Sequence, residues 1–88
     1  MVNEGEYVAI FNSVHRVMKA EKLLKGEKIP ILLIPAPRAL SSDCGLAIRY
    51  ATEDRERTEA LLSSSSLFPE EIYLKKDDRF VRVDKEIL

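Results

Sequence analysis

Tyr7-Val8-Ala9-Ile10-Phe11 runs through Asn12-Ser13 into Val14-His15-Arg16-Val17-Met18-Lys19-Ala20-Glu21-Lys22-Leu23-Leu24-Lys25-Gly26, and the hydrophobic period changes across Ser13. The first five residues form an apolar run with β-branched and aromatic members, the pattern of a buried strand. Ser13 is a residue type that caps helices through its hydroxyl. Beyond it Val14, Val17, Met18, Leu23 and Leu24 recur mostly three and four apart, while Lys19, Glu21, Lys22 and Lys25 take the other face. The spacing predicts a helix capped by Ser13 and stopped by Gly26.

Outward from this strand and helix, Ile31-Leu32-Leu33-Ile34 reads as a second buried strand, closed by Pro35 and Pro37, neither of which donates to a ladder. Residues 36–45 have no apolar period and are rich in Pro, Ser, Asp and Gly, so they form a loop. Leu46-Ala47-Ile48-Arg49-Tyr50 reads as a third strand. Thr52 is placed to cap a second helix through Glu53, Asp54 and Arg55 to Leu61 and Leu62, with its acidic residues where the helix dipole favours them. The run Ser63 to Ser66 ends that helix and leads to a fourth strand at Ile72-Tyr73-Leu74. After the charge cluster Lys75 to Arg79, Phe80-Val81-Arg82-Val83 suggests a terminal strand or arm.

The order β-α-β-β-α-β with a tail is solved most simply by an α+β, ferredoxin-like βαββαβ sandwich. Four antiparallel strands carry two helices on one face, with residues 1–76 as the single domain and 77–88 as a short C-terminal tail or edge strand. In that topology the loops 11–14, 35–45 and 62–71 share one end of the sheet. Asn12, Ser13, His15, Arg38, Ser41, Ser42, Asp43, Cys44 and the serine run would then meet there, with both termini at the other end. The candidate edge at Phe80 to Val83 suggests homodimerisation through a strand added from a neighbour.

Composition narrows the function. At 45% apolar and 33% charged, 88 residues suit one small globular domain. Fourteen basic against fifteen acidic residues give a net charge of −1, which argues against a nucleic-acid partner that requires neutralisation of many phosphates. One cysteine and one histidine supply neither a disulfide framework nor the ligand set of a zinc site, and no cofactor or metal is expected. Residues 29–37, the longest nearly uncharged run, are nine long and broken by three prolines, against the roughly 20 needed to span a bilayer. Glu4 and Glu6 in the opening residues do not suit a secretory leader. A soluble, cytoplasmic protein with a reduced thiol and no membrane partner is expected.

The loop Pro35-Ala36-Pro37-Arg38-Ala39-Leu40-Ser41-Ser42-Asp43-Cys44-Gly45 carries the chemistry. Its Pro37-Arg38, Ser41-Ser42 and Cys44-Gly45 pairs resemble the signature of a bacterial family of selenium/sulfur carrier-like proteins. The similarity runs roughly from Ile10 to Leu74, takes in His15, the stretch Lys19 to Leu24 and the strand Leu46 to Arg49, and leaves out the tail from Lys75. The resemblance implies a carrier or accessory protein rather than a turnover enzyme. Cys44 would be the sulfur or selenium acceptor, loaded by a donor such as a cysteine desulfurase.

The residues support the same chemistry by a separate route. A carrier needs one accessible thiolate and no neighbouring cysteine to trap its cargo as a disulfide, and Cys44 fits. Gly45 permits unusual backbone angles, so a loop amide can point at the sulfur. Arg38 offers positive charge across the loop, the first helix adds its N-terminal dipole, Ser41 and Ser42 brace the turn, and His15 stands at the same edge for proton transfer. Asp43 brings the opposite charge beside the sulfur. Each residue also has a plainer reading: a packed structural Cys44, a surface His15, and an Arg38 bonded to loop carbonyls. On that reading the protein is a non-catalytic dimeric module that regulates or binds a ligand or partner.

Overall fold

The computed structural model describes residues 2–40 and 44–84. Along the chain lie β1 (Tyr7–Ile10), α1 (Val14–Gly26), β2 (Ile31–Pro35), β3 (Leu46–Tyr50), a 3-10 turn (Thr52–Asp54) leading into α2 (Arg55–Ser64), β4 (Glu71–Lys76) and β5 (Arg79–Arg82). The strands make one antiparallel sheet in the order β2-β3-β1-β4-β5. This is an α+β architecture compatible with a ferredoxin-like arrangement, with five strands where the sequence suggested four and a tail or edge strand.

The fifth strand forms because Asp77 and Asp78 both adopt positive φ, 52° and 63°, in a two-residue turn whose geometry matches strand twist. The Glu4 carboxylate accepts both of their backbone N–H groups at 2.8 Å. Leu74 then pairs with Val81 and Lys76 with Arg79. The tail strand therefore pairs with β4 of its own chain. It also runs back up the sheet, so Asp84 lies beside Ile72 at the start of β4, and the described C-terminal end shares the edge where it was expected to be absent.

Both helices stop by the same device. Ile29 N–H bonds Leu24 O at 3.1 Å and Lys28 N–H bonds Lys25 O at 3.0 Å; Leu67 N–H bonds Leu62 O at 2.9 Å and Ser66 N–H bonds Ser63 O at 3.2 Å. These are Schellman closures with Lys28 (φ 62°) and Ser66 (φ 57°) in the left-handed position usually given to glycine. Gly26 is thus the last helical residue rather than the stop, and Ser63 and Ser64 belong to α2. Thr52 does not cap α2. Its hydroxyl donates to Gly5 O and ties the turn to the N-terminal segment.

The sheet is covered on both faces. On one, Tyr7, Ala9, Phe11, Ile48, Tyr50 and Ile72 pack with Val17, Ala20 and Leu24 of α1, Leu62 of α2, and the closure residues Ile29 and Leu67. On the other, Val8, Ile10, Ile34 and Ala47 are buried without helical residues, under Val2, Ala36, Leu40, Tyr73 and Phe80. Val83, just past β5, is buried in the first layer, so the last strand is fastened on both faces.

Arg82 holds the end of that strand. Its Nε and Nη2 donate to Asp84 at 2.8 and 3.1 Å, its Nη1 lies 3.3 Å from Glu71, and Asp84 also accepts from Ile72 N–H at 3.1 Å. The Arg82 hydrogen bond is the main cause that keeps the Asp84 carboxyl below its ordinary value of 3.8. A carboxyl with a depressed folded-state value adds stability that is complete above its unfolded value and is lost as pH falls through the folded one. Asp84→Asn should therefore be less stable than wild type at neutral pH, with the gap closing below about pH 4. Denaturant unfolding at both pH values checks this; a gap independent of pH would show that the ionised carboxylate is not what anchors β5.

Candidate functional site

The antiparallel register sets which loops meet. Ile10, at the end of β1, faces Ala47 near the start of β3 and Glu71 at the start of β4. The chain leaving β1 is therefore flanked by the end of the 36–45 loop and by the segment after α2. Glu70 N–H bonds Ile10 O at 2.8 Å, and Asn12 Nδ2 donates to the Glu70 carboxylate at 3.2 Å. Arg16 Nη2 reaches Ser66 O at 3.2 Å and Phe68 O at 3.5 Å, fixing the segment after α2 against the first turn of α1.

Cys44 sits where this edge meets the core. It is half-buried, packs against the helix-covered layer, and its sulfur lies 3.5 Å from Phe11 O and 3.4 Å from Leu46 O. Phe11 is two residues before Ser13, the N-cap of α1, whose Oγ accepts from Arg16 N–H at 3.1 Å. The thiol is thus held next to the start of α1 by backbone groups, and no other element need move for that proximity.

The loop bearing the cysteine is closed at its base by Ala36 N–H on Gly45 O at 2.9 Å. Gly45 has φ +74°, with nothing within 4 Å of a Cβ built there. The glycine is required by backbone conformation and not by lack of space. Across the loop, Leu40 N–H bonds Pro37 O at 2.9 Å, a turn that presents Arg38 to solvent, while Leu40 packs on the helix-free layer of the sheet. His15 is exposed in the first turn of α1. Ser41, Ser42 and Asp43 lie outside the described residues.

The shared edge inferred from strand direction is therefore present for Asn12, Ser13, Cys44 and the residues after α2, which are linked through named bonds, while the turn bearing Arg38 is anchored through Leu40 on the helix-free layer, opposite the layer against which Cys44 packs. Sequence reasoning missed the contributions of Arg16 and of the Phe11 and Leu46 carbonyls. Arg16 carries no signal in a helical pattern that already assigns charges to an outer face, and backbone acceptors carry none. Among the described residues no helix is long and apolar enough to cross a membrane, and no group of three His, Cys, Asp or Glu side chains is placed to hold a metal ion.

A family model described as "Putative Se/S carrier protein-like" matches residues 6–74, and the chain belongs to that family. No curated protein and no solved structure matches it.

Two substitutions probe the scaffold of this edge. Ser13→Ala removes the cap acceptor and should cost about 1 kcal/mol. Gly45→Ala meets no clash but forces a side chain into the left-handed region, at about 1–2 kcal/mol. Urea unfolding of each variant provides the measurement. An unchanged midpoint for Gly45→Ala would mean that the loop relaxes to negative φ without loss.

Proposed function

We propose, from that family membership, that the protein carries a sulfane sulfur or selenium atom on Cys44, on a scaffold we read as ferredoxin-like. The observation that carries the reading is the seat of the only cysteine in the chain: half-buried at the shared edge, on a loop whose exposed turn bears Arg38. Partial burial shields a loaded sulfur from bulk reductant while leaving one side open to a partner. A single thiol has no intramolecular neighbour with which to discharge its cargo as a disulfide.

Loading is a thiol exchange. Cys44 loses its proton to solvent, and the thiolate attacks the terminal sulfur of a donor persulfide, as formed on a cysteine desulfurase. A bond forms between Cys44 Sγ and that sulfur, the donor's own sulfur–sulfur bond breaks, and the donor cysteine leaves as a thiolate that takes up a proton. The sulfane sulfur moves unchanged in oxidation level: Cys44 is oxidised to the persulfide and the donor cysteine is reduced. Selenium transfer follows the same balance with a selenosulfide donor. A thiolate has no proton to give the Phe11 and Leu46 carbonyls, so the sulfur must turn from them towards solvent to react. Arg38, exposed on the same loop, supplies positive charge for an approaching anionic persulfide, and Gly45 provides the left-handed backbone turn beside the sulfur.

The packing of Cys44 against the main core favours a second reading, in which the cysteine is structural and the protein is a non-catalytic module that binds a ligand or partner. Intact-mass measurement after incubation with a cysteine desulfurase and free cysteine separates the two. The wild type should gain the mass of one sulfur, reversed by a thiol reductant, and Cys44→Ser should gain none. Arg38→Ala should load more slowly than Arg38→Lys, which keeps the charge. A wild-type protein that gains no mass while the desulfurase turns over would overturn the carrier reading in favour of the structural one.

A further inference from the structure

The two edges of the sheet are unlike. The β5 edge carries Arg79 and Arg82, with Arg82 paired to Asp84 and Glu71, the charged kind of edge that discourages strand addition. The β2 edge reads Ile31-Leu32-Leu33-Ile34-Pro35, without a charge. We propose that this edge is a self-association surface, on which β2 of a second copy adds antiparallel about a two-fold axis at Leu32, joining two five-stranded sheets into one.

The backbone parity selects that register. Ala36 N–H bonds Gly45 O, one step beyond the pair Pro35 and Leu46. Hydrogen-bonded and non-hydrogen-bonded pairs alternate along an antiparallel ladder, so Ile34 and Leu32 direct their N–H and C=O groups at β3, and Ile31 and Leu33 direct theirs outward. Pairing about Leu32 sets Ile31 opposite Leu33 of the second copy, and symmetry repeats the pair, so four bonds satisfy all four outward groups of each strand segment. Two residues further Ile29 faces Pro35 of the second copy. Ile29 N–H is already bonded to Leu24 O, and proline has none, so the added ladder ends without leaving a donor unpaired.

Side chains on both faces fit the same axis. Leu32 is 43% exposed on the helix-free face and would meet its own copy in the closer, non-hydrogen-bonded type of pair. On α1, Val14 and Met18 are 52% and 44% exposed. Arg16, some 160° around the helix from both, reaches the segment after α2, so Val14 and Met18 occupy the opposite flank, on the β2 side. Among the described residues, three of the five exposed large hydrophobics, Val14, Met18 and Leu32, thus border one edge, above and below it. Antiparallel addition sends the two 36–45 loops to opposite ends of the joined sheet, leaving each Cys44 at its own open end.

This inference does not rest on the sulfur chemistry. Light scattering across a concentration series should show the wild type as a dimer. Leu32→Asp, at an exposed position and checked for retained fold by circular dichroism, should be a monomer, and Val81→Asp, a matched exposed change on the β5 edge, should remain a dimer. Backbone hydrogen exchange at Ile31 and Leu33 should slow as dimer accumulates. A wild type that stays monomeric from low to high micromolar concentration, a dimer that survives Leu32→Asp, or one dissolved by Val81→Asp alone would overturn the proposal.

Discussion

β1 pairs along its whole length with β3 on one side and β4 on the other, and its four residues are buried on both faces of the sheet. Tyr7 and Ala9 face the helices, Val8 and Ile10 the opposite layer, so a one-residue slip of β1 would exchange the two sets. Each full burial of an aliphatic side chain contributes roughly 1.5–3 kcal/mol, which makes a slip unaffordable for a domain of this size. The register then dictates the rest: where β1 ends, β3 and β4 begin, and the start of α1, the cysteine loop and the segment after α2 must converge.

The end of the sheet remote from Cys44 is fastened by a polar and aromatic cluster. Tyr7 and Tyr50 stack with centroids 5.6 Å apart, Arg55 lies 4.6 Å over the Tyr7 ring and bonds its hydroxyl at 3.0 Å, and Glu59 accepts from Tyr50 at 2.8 Å and Arg55 at 3.1 Å. Burial, reinforced by the Glu59 carboxylate, pushes the Tyr50 hydroxyl far above the ordinary tyrosine range, so it remains a donor. The cluster joins α2 to β1 and β3. The cysteine edge is built differently, from backbone bonds together with the side chains of Asn12, Ser13 and Arg16.

Elements with a strong local cause could be read from the chain. The period change at Ser13 located β1 and α1, and the run at 46–50 located β3. The alternation at Phe80 to Val83 suggested a terminal strand or arm, but its hairpin with β4 was obscured because the turn is made by Asp77-Asp78, without the glycine that marks such hairpins, and depends on Glu4, more than seventy positions away in sequence. At the end of α1 Lys28 does what Gly26 was expected to do, while α2 closes at Ser66, within the serine run expected to end it. Strand direction was sufficient to bring the site's loops together. The sulfur's carbonyl partners and the burial of Leu40 depend on tertiary packing that no period in the loop records.

A carrier role requires that the Cys44 sulfur be reachable in the folded protein. Alkylation by a small thiol reagent, followed against pH for the native and the urea-unfolded chain, tests this most directly. Native Cys44 should react, more slowly than in the unfolded chain, at a rate that stays the same when low urea shifts the unfolding equilibrium. A native rate that rises in proportion to the unfolded population would mean that the thiol is reached only through global unfolding, and would contradict the placement of a working sulfur at this edge.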